Sequence, residues 1–187
     1  LMWVLIGVFL DSFDGLVARA FRATTEIGKQ LDSLCDVISF GVVPGYFMYK
    51  YLSDFLSYEL VPLSLSAFVV TLASIFRLAR FNITPSSQLD FQGLPTPAFA
   101  LFVIGIPFIP YEINPIIITV IVALLTVLMV SKIMLPSQKF VNGKPSNFFW
   151  IFAVVAIPVL LIFRSQALSL TVLTYAFFGM LYMRLRA

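Results

Sequence analysis

Apolar residues fill long stretches of this chain almost without interruption, and polar and charged residues gather in short intervals between them. Taking each interval as a turn leaves seven helical stretches, at residues 1–21, 26–51, 60–80, 95–110, 114–132, 148–164 and 167–184. Crossing the hydrocarbon core of a bilayer takes roughly 20 residues of helix, and in lipid a helix satisfies its backbone N–H and C=O groups internally. The pattern therefore predicts an all-α fold, a polytopic transmembrane bundle of about seven helices forming one integral-membrane domain over residues 1–187. Polar loops are expected around Pro85, Ser86, Ser87 and Asp90, and around Pro136, Lys139, Asn142, Gly143, Lys144 and Pro145. Pro44 and Pro158 fall inside predicted helices and should kink them.

Composition agrees with this pattern. The 187 residues are 60% hydrophobic and 11% charged, with a mean hydropathy of +1.01, far too apolar for a soluble globule. A single cysteine, Cys35, excludes an internal disulfide and is expected to be a small packing residue. The absence of histidine rules out imidazole catalysis, histidine metal ligation and phosphohistidine chemistry. Threading the helices alternately across a bilayer puts Arg19, Arg22, Lys29, Arg77, Arg80, Lys132, Lys139, Lys144, Arg184 and Arg186 on one side and only Lys50 and Arg164 on the other. By the positive-inside rule the turn at 19–29, the loop from Arg77 to Gly93 and the C-terminus should face the cytoplasm. Asp54, Glu59 and Glu112 should lie outside. No basic patch with interleaved aromatics suggests a nucleic-acid partner.

The charges that remain are concentrated in one stretch. Asp11 and Asp14, then Asp32 and Asp36, place four carboxylates within 26 residues of an otherwise apolar sequence. Spacings of three and four put each pair on one face of its helix, and the short turn between the helices lets the pairs face each other. Carboxylates gathered in an apolar protein repel one another and lose hydration, so they need cations or protons among them. A divalent-metal site is the sharper expectation; helix-capping or ion-paired acids are the plainer one.

The same residues form a longer pattern. Asp11-x2-Asp14-Gly15-x2-Ala18-Arg19-x8-Gly28-x3-Asp32-x3-Asp36 resembles, at every fixed position, the signature of the CDP-alcohol phosphotransferases. Within that family the chain is most similar to the phosphatidylserine synthases, through residues 31–44, 77–82 and 93–97. The resemblance covers most of the chain and is specific over residues 11–97. It implies two divalent cations, Mg²⁺ or Mn²⁺, one held by Asp11, Asp14 and Asp32 and the other by Asp11, Asp32 and Asp36. It further implies that Asp36 is the general base, and that Asp14, Gly15, Ala18, Arg19, Gly28 and Asp32 bind the CDP moiety. Apart from the signature, the small residues would be read as helix-packing positions and Arg19 as an interfacial anchor. Members usually carry another helix before the motif. Only ten residues precede Asp11 here and position 1 is not Met, so a portion before Leu1 is expected.

The activity implied is metal-dependent transfer of a phosphatidyl group from a CDP-lipid, CDP-diacylglycerol or CDP-archaeol, to L-serine, with release of CMP by single displacement. The other implied properties are a cell-membrane location, a cytoplasm-facing active site, contact with membrane lipid and a homodimer. Serine needs a cation for its carboxylate. Arg77 and Arg80, three apart on one helix, with Asn82 just beyond, are the candidates, because arginine holds a carboxylate with two parallel hydrogen bonds. They serve equally as topology signals; Ser39 and Lys139 are weaker candidates. The alternatives are a sister enzyme using glycerol 3-phosphate or inositol phosphate, a membrane cation transporter, which accounts for the acids but not for Gly15, Ala18, Arg19 and Gly28, and a structural scaffold.

Overall fold

The computed structural model describes residues 25–56, 58–83, 91–109, 114–136, 140–141, 144–145, 147–163 and 166–186. The predicted first helix, with Asp11, Asp14, Gly15, Ala18 and Arg19, lies outside them, as do Lys139, Arg164 and most of the loop after Asn82. The chain divides into two compact units, residues 1–78 and 79–187.

In the first unit, Thr25 starts a helical run that continues to Phe55. Its Oγ1 accepts the Gly28 N–H at 3.0 Å, satisfying one of the donors that a helix start leaves open. The run consists of α1 (Glu26–Val37), a π-helical turn (Ile38–Val42) and α2 (Val43–Phe55). Pro44 explains the turn. Proline has no N–H to give the carbonyl four residues back, here Phe40, and its ring crowds that carbonyl. A wider turn, in which the Val43 N–H bonds Ile38 O, relieves the crowding without ending the helix. The predicted disturbance at Pro44 is thus a π turn inside a continuous span.

Next come a 3-10 stretch (Tyr58–Phe68), which contains Pro62, and α3 (Val69–Ile83). The 58–78 portion packs against the π turn and α2 by close backbone approach. A Cβ on Gly45 would lie 2.5 Å from Thr71 Oγ1, and one on Gly41 would lie 3.0 Å from Ser74 Cβ. Glycines four apart share a helix face, so this face is shaped for contact. Hydroxyls complete it. Thr71 Oγ1 donates to Gly41 O at 3.0 Å, and the Ser74 hydroxyl sits 3.0 Å from Val70 O and 3.5 Å from Phe40 O. Phe40, Met48, Ala67, Val70 and Ala73 fill the rest of the interior.

The second unit comprises β1 (Phe91–Gln92), α4 (Thr96–Gly105) continuing as a 3-10 turn (Ile106–Phe108), α5 (Pro115–Val130), β2 (Met134–Leu135), β3 (Phe140–Val141), β4 (Lys144–Pro145), α6 (Asn147–Phe163) and α7 (Ala167–Arg186). Asn114, the expected start of the fifth helix, is its N-cap: Oδ1 accepts the Ile116 N–H at 2.9 Å, and Pro115 holds the first helical position. The loops contain two short antiparallel pairings that an all-helical pattern does not predict. Phe91 pairs with Leu135 and Gln92 with Met134, while Phe140 pairs with Pro145 and Val141 with Lys144.

The core of this unit lies where α7 crosses α4 and α6. A Cβ on Gly105 would fall on Ser169 Oγ, which donates to Phe102 O at 2.9 Å. Phe148 and Phe152 of α6 meet the Tyr175 ring edge-on at 6.0 and 5.7 Å, a favoured arrangement of aromatic quadrupoles. The Tyr175 hydroxyl donates to Pro136 O at 3.0 Å. Pro158 lies inside α6, as expected.

Among the described residues there are thus six apolar helical stretches matching the second to seventh predicted helices. Gln30–Phe55, Pro62–Ile83 and Ala167–Arg186 are long and apolar enough to cross a membrane; Thr96–Phe108, Pro115–Val130 and Phe148–Phe163 are shorter and also apolar. The protein is an all-α polytopic membrane protein.

Candidate active site

Asp32 and Asp36 sit one turn apart on α1, so their carboxylates share a face. Asp32 is exposed; Asp36 is half-buried, with Oδ1 shielded from solvent. A carboxylate withdrawn from water needs compensating hydrogen bonds, protons or cations. Paired carboxylate oxygens with no nitrogen or sulfur ligand suit a hard divalent cation. The donor set fits Mg²⁺ or Mn²⁺ in its chemistry. Among the described residues no three potential ligands converge; Asp11 and Asp14 lie outside those residues.

Gly28 is exposed in the first turn of α1, and a Cβ there would lie 3.0 Å from Thr25 Oγ1. Its lack of a side chain leaves the surface open and leaves room for the cap hydroxyl that accepts its N–H. Cys35, expected to be a packing residue, is exposed instead. At roughly 100° per residue a helix turns the position before Asp36 onto a different face, and that face is not packed. Ser39 is half-buried, three residues beyond Asp36.

The two arginines of α3 have different surroundings. Arg77 is buried at 7% exposure, unusual for a guanidinium. Arg80 is half-buried, and its Nη1 donates to Val130 O at 2.7 Å and Ser131 O at 3.3 Å. These carbonyls lie at the C-terminal end of α5, where a helix leaves acceptors open and favours positive charge. Arg80 is therefore a side-chain cap across 50 residues of sequence. Asn82, expected beyond the third helix, lies within its last turn.

Gly93, absent from the candidate residues, anchors the start of α4 to the same end of α5. Its φ is +69°, and a Cβ would strike the Met129 carbonyl oxygen. The Gly93 N–H bonds Ile133 O at 2.8 Å. The sequence did carry a signal, a glycine closing a polar loop immediately before Leu94 and Pro95.

A family model described as CDP-alcohol phosphatidyltransferase matches residues 1–131. The chain belongs to the CDP-alcohol phosphatidyltransferase family. It is 36% identical over 180 residues to a CDP-diacylglycerol--serine O-phosphatidyltransferase of Methanocaldococcus jannaschii, a match covering 95% of this chain and 81% of that protein. A Bacillus subtilis protein of the same description is 33% identical over 138 residues, 74% of this chain and 75% of that one. An archaetidylserine synthase of Methanothermobacter thermautotrophicus is 39% identical over 100 residues, covering 52% and 41%. As a member of this family the chain is a membrane-embedded transferase of phospholipid synthesis. The acids of α1 fall inside the matched region, and α6 and α7 fall beyond it.

Proposed function

We propose that this phosphatidyltransferase moves a phosphatidyl group, or its archaeal ether-linked counterpart, from a CDP-lipid to L-serine and releases CMP. The observation that carries the proposal is the complete eight-residue signature from Asp11 to Asp36, with Asp32 and Asp36 on one face of α1. The printed names of the Methanocaldococcus, Bacillus and Methanothermobacter relatives support serine as the acceptor.

Asp11, Asp14 and Asp32 would hold one divalent cation and Asp11, Asp32 and Asp36 a second. When bound, such ions clamp a pyrophosphate and neutralise charge on the leaving oxygen. Asp36, the acid furthest along α1, receives the proton as the serine hydroxyl oxygen attacks the lipid-side phosphorus. The bond from that phosphorus to the CMP oxygen breaks, so no protein nucleophile is consumed. By the family signature, Gly15, Ala18 and Gly28 would leave room for the nucleotide and Arg19 would bind it. The burial of Arg77 supports a role in holding the serine carboxylate, assisted by Arg80 and Asn82. A guanidinium has five donors, so capping α5 through Nη1 is compatible with that role. The protein works as one integral-membrane domain in a homodimer, with the acids on the cytoplasmic side of the cell membrane; the one-sided distribution of Lys and Arg supports this orientation.

The test is CMP release from CDP-diacylglycerol by the purified protein, with L-serine, glycerol 3-phosphate and inositol phosphate offered separately, with and without EDTA. Release with serine alone, abolished by EDTA and restored by Mg²⁺ or Mn²⁺, is expected. Release with a different alcohol would keep the site and discard serine.

A further inference from the structure

A cavity lies wholly within the unit formed by residues 79–187, with a volume of about 280 Å³, just below the usual range for ligand pockets. Pro95, Ala98 and Leu101 on the α4 side face Thr171, Val172 and Tyr175 of α7. Phe152 of α6 closes one side with its ring. No charged side chain lines the cavity, so it suits neither a nucleotide, nor serine, nor a phosphate headgroup.

One polar atom stands out. Thr171 Oγ1 is buried and has no hydrogen-bond partner among the described residues. A buried hydroxyl without a partner is destabilising, and a threonine within a helix can usually bond a carbonyl one turn back. The Tyr175 hydroxyl is engaged with Pro136 O, so Tyr175 offers the cavity its ring. Water is a poor occupant, because it needs two to four polar partners and these walls offer one. The cavity calls for a molecule that is hydrocarbon with a single oxygen.

The surrounding medium supplies one. α4, α6 and α7 are apolar helices of a membrane protein. Thr171 lies four residues beyond Ala167, the start of α7, roughly 6 Å along the helix. A helix of 20 residues is about as long as the hydrocarbon core is thick. This puts the hydroxyl near the core's edge, where a lipid chain joins its glycerol, and the apolar walls deeper in. We propose that the cavity holds one hydrocarbon chain of a bilayer phospholipid, with the oxygen linking that chain to glycerol accepting a hydrogen bond from Thr171. The occupant is a resident lipid and is distinct from the nucleotide-activated substrate.

The test uses the full chain reconstituted in phosphatidylcholine vesicles containing a trace of phosphatidylcholine with a photoactivatable group in mid-chain. After irradiation, cross-links are mapped by peptide mass spectrometry. Labelling of the segments around Leu101, Phe152 and Val172, undiminished by excess CDP-diacylglycerol, is expected. Thr171→Val, nearly identical in shape, should lower that labelling about fivefold, the effect of one hydrogen bond, and Ala98→Phe should nearly abolish it. Labelling spread evenly over the lipid-facing helices overturns the proposal, and this outcome is read on the unaltered protein. Loss of the label on adding CDP-diacylglycerol also overturns it, by assigning the cavity to the substrate. So does unchanged labelling in Thr171→Val with an unaltered melting midpoint.

Discussion

α1 and α4 are both short helices of one membrane enzyme, yet they treat their side chains in opposite ways. In α4, Phe99, Ala100, Phe102, Val103 and Ile104 are all buried, two of them with no exposed surface beyond 1% and the rest with none. Along α1, Ile27, Leu31 and Leu34 are exposed, as are Asp32 and Cys35. A helix buried over most of its surface is framework, and substitutions on its buried faces act through packing. A helix that leaves its side chains outward while carrying two carboxylates on one face is a presenting element, and substitutions there act on what it presents. Stability and activity should therefore separate along the chain. That separation can be tested.

The largest effect is expected on α1. Asp32→Asn keeps the side chain's size and removes its charge, so turnover should fall about a thousandfold or more, in the range lost when preorganised charge stabilisation is removed. The melting midpoint in detergent should hardly move, since Asp32 is exposed. CMP release and thermal unfolding on the same preparation check both halves. Near-normal turnover would break the assignment of Asp32 to both cations, and a collapsed midpoint would make α1 part of the framework.

Gly93→Ala should do the reverse. A φ of +69° and a carbonyl in the path of a Cβ put left-handed strain and overpacking together, roughly 2–4 kcal/mol of destabilisation. The midpoint should fall markedly. At a temperature where the variant is still folded, most activity should remain. A full-strength midpoint would mean that the connection between β1 and α4 yields easily.

These two residues also mark what the sequence does and does not reveal. Asp32 was legible because its chemistry is local: four acids at helical spacing in an apolar chain need no partner from elsewhere to be noticed. Helix positions were legible for the same reason. Apolar runs bounded by Asn114, Pro115 and the short interval before Ala167 define their own ends. The π turn at Pro44 was visible only as a disturbance, because proline removes a donor without dictating how the chain compensates. The closeness of Gly41 and Gly45 to Thr71 and Ser74, the hold of Gly93 on α5, and the cap that Arg80 gives Val130 all depend on residues 26 or more positions away. Spacing along one helix does not encode such a partner.

Arg80→Ala tests a residue with a claim on both classes. Losing charge-assisted hydrogen bonds to two α5 carbonyls should destabilise by about 1.5–3 kcal/mol. The proposed serine contact adds a raised KM for serine, with the KM for CDP-lipid unchanged. A lowered midpoint with an unaltered serine KM would make Arg80 a framework residue alone and leave Arg77 as the candidate carboxylate partner. Arg80→Lys sharpens the result. Lysine retains the charge that suits a helix C-terminus but not the planar fork, so it should recover more of the midpoint than of the KM.

The smallest effect is expected where the first unit is framework. Thr71→Val exchanges the hydroxyl that donates to Gly41 O for a methyl group and leaves the neighbouring glycine face in place. Interhelical hydrogen bonds in membrane proteins average about 0.6 kcal/mol, so the midpoint should fall slightly. Turnover should be untouched, because Thr71 is not among the residues proposed to meet substrate. Thr71→Ser keeps the hydroxyl and drops the methyl, which separates the hydrogen bond from the packing. If serine matches the parent and valine does not, the hydroxyl matters for the carbonyl beside the π turn. If valine matches the parent and serine falls, the contact with Gly45 is one of shape, and the hydrogen bond contributes nothing measurable. If Thr71→Val lowers turnover with no change in midpoint, then the turn that follows Asp36 by two residues sets the pose of the carboxylate, and the boundary between presenting and framework residues must be redrawn inside the 26–55 helical run.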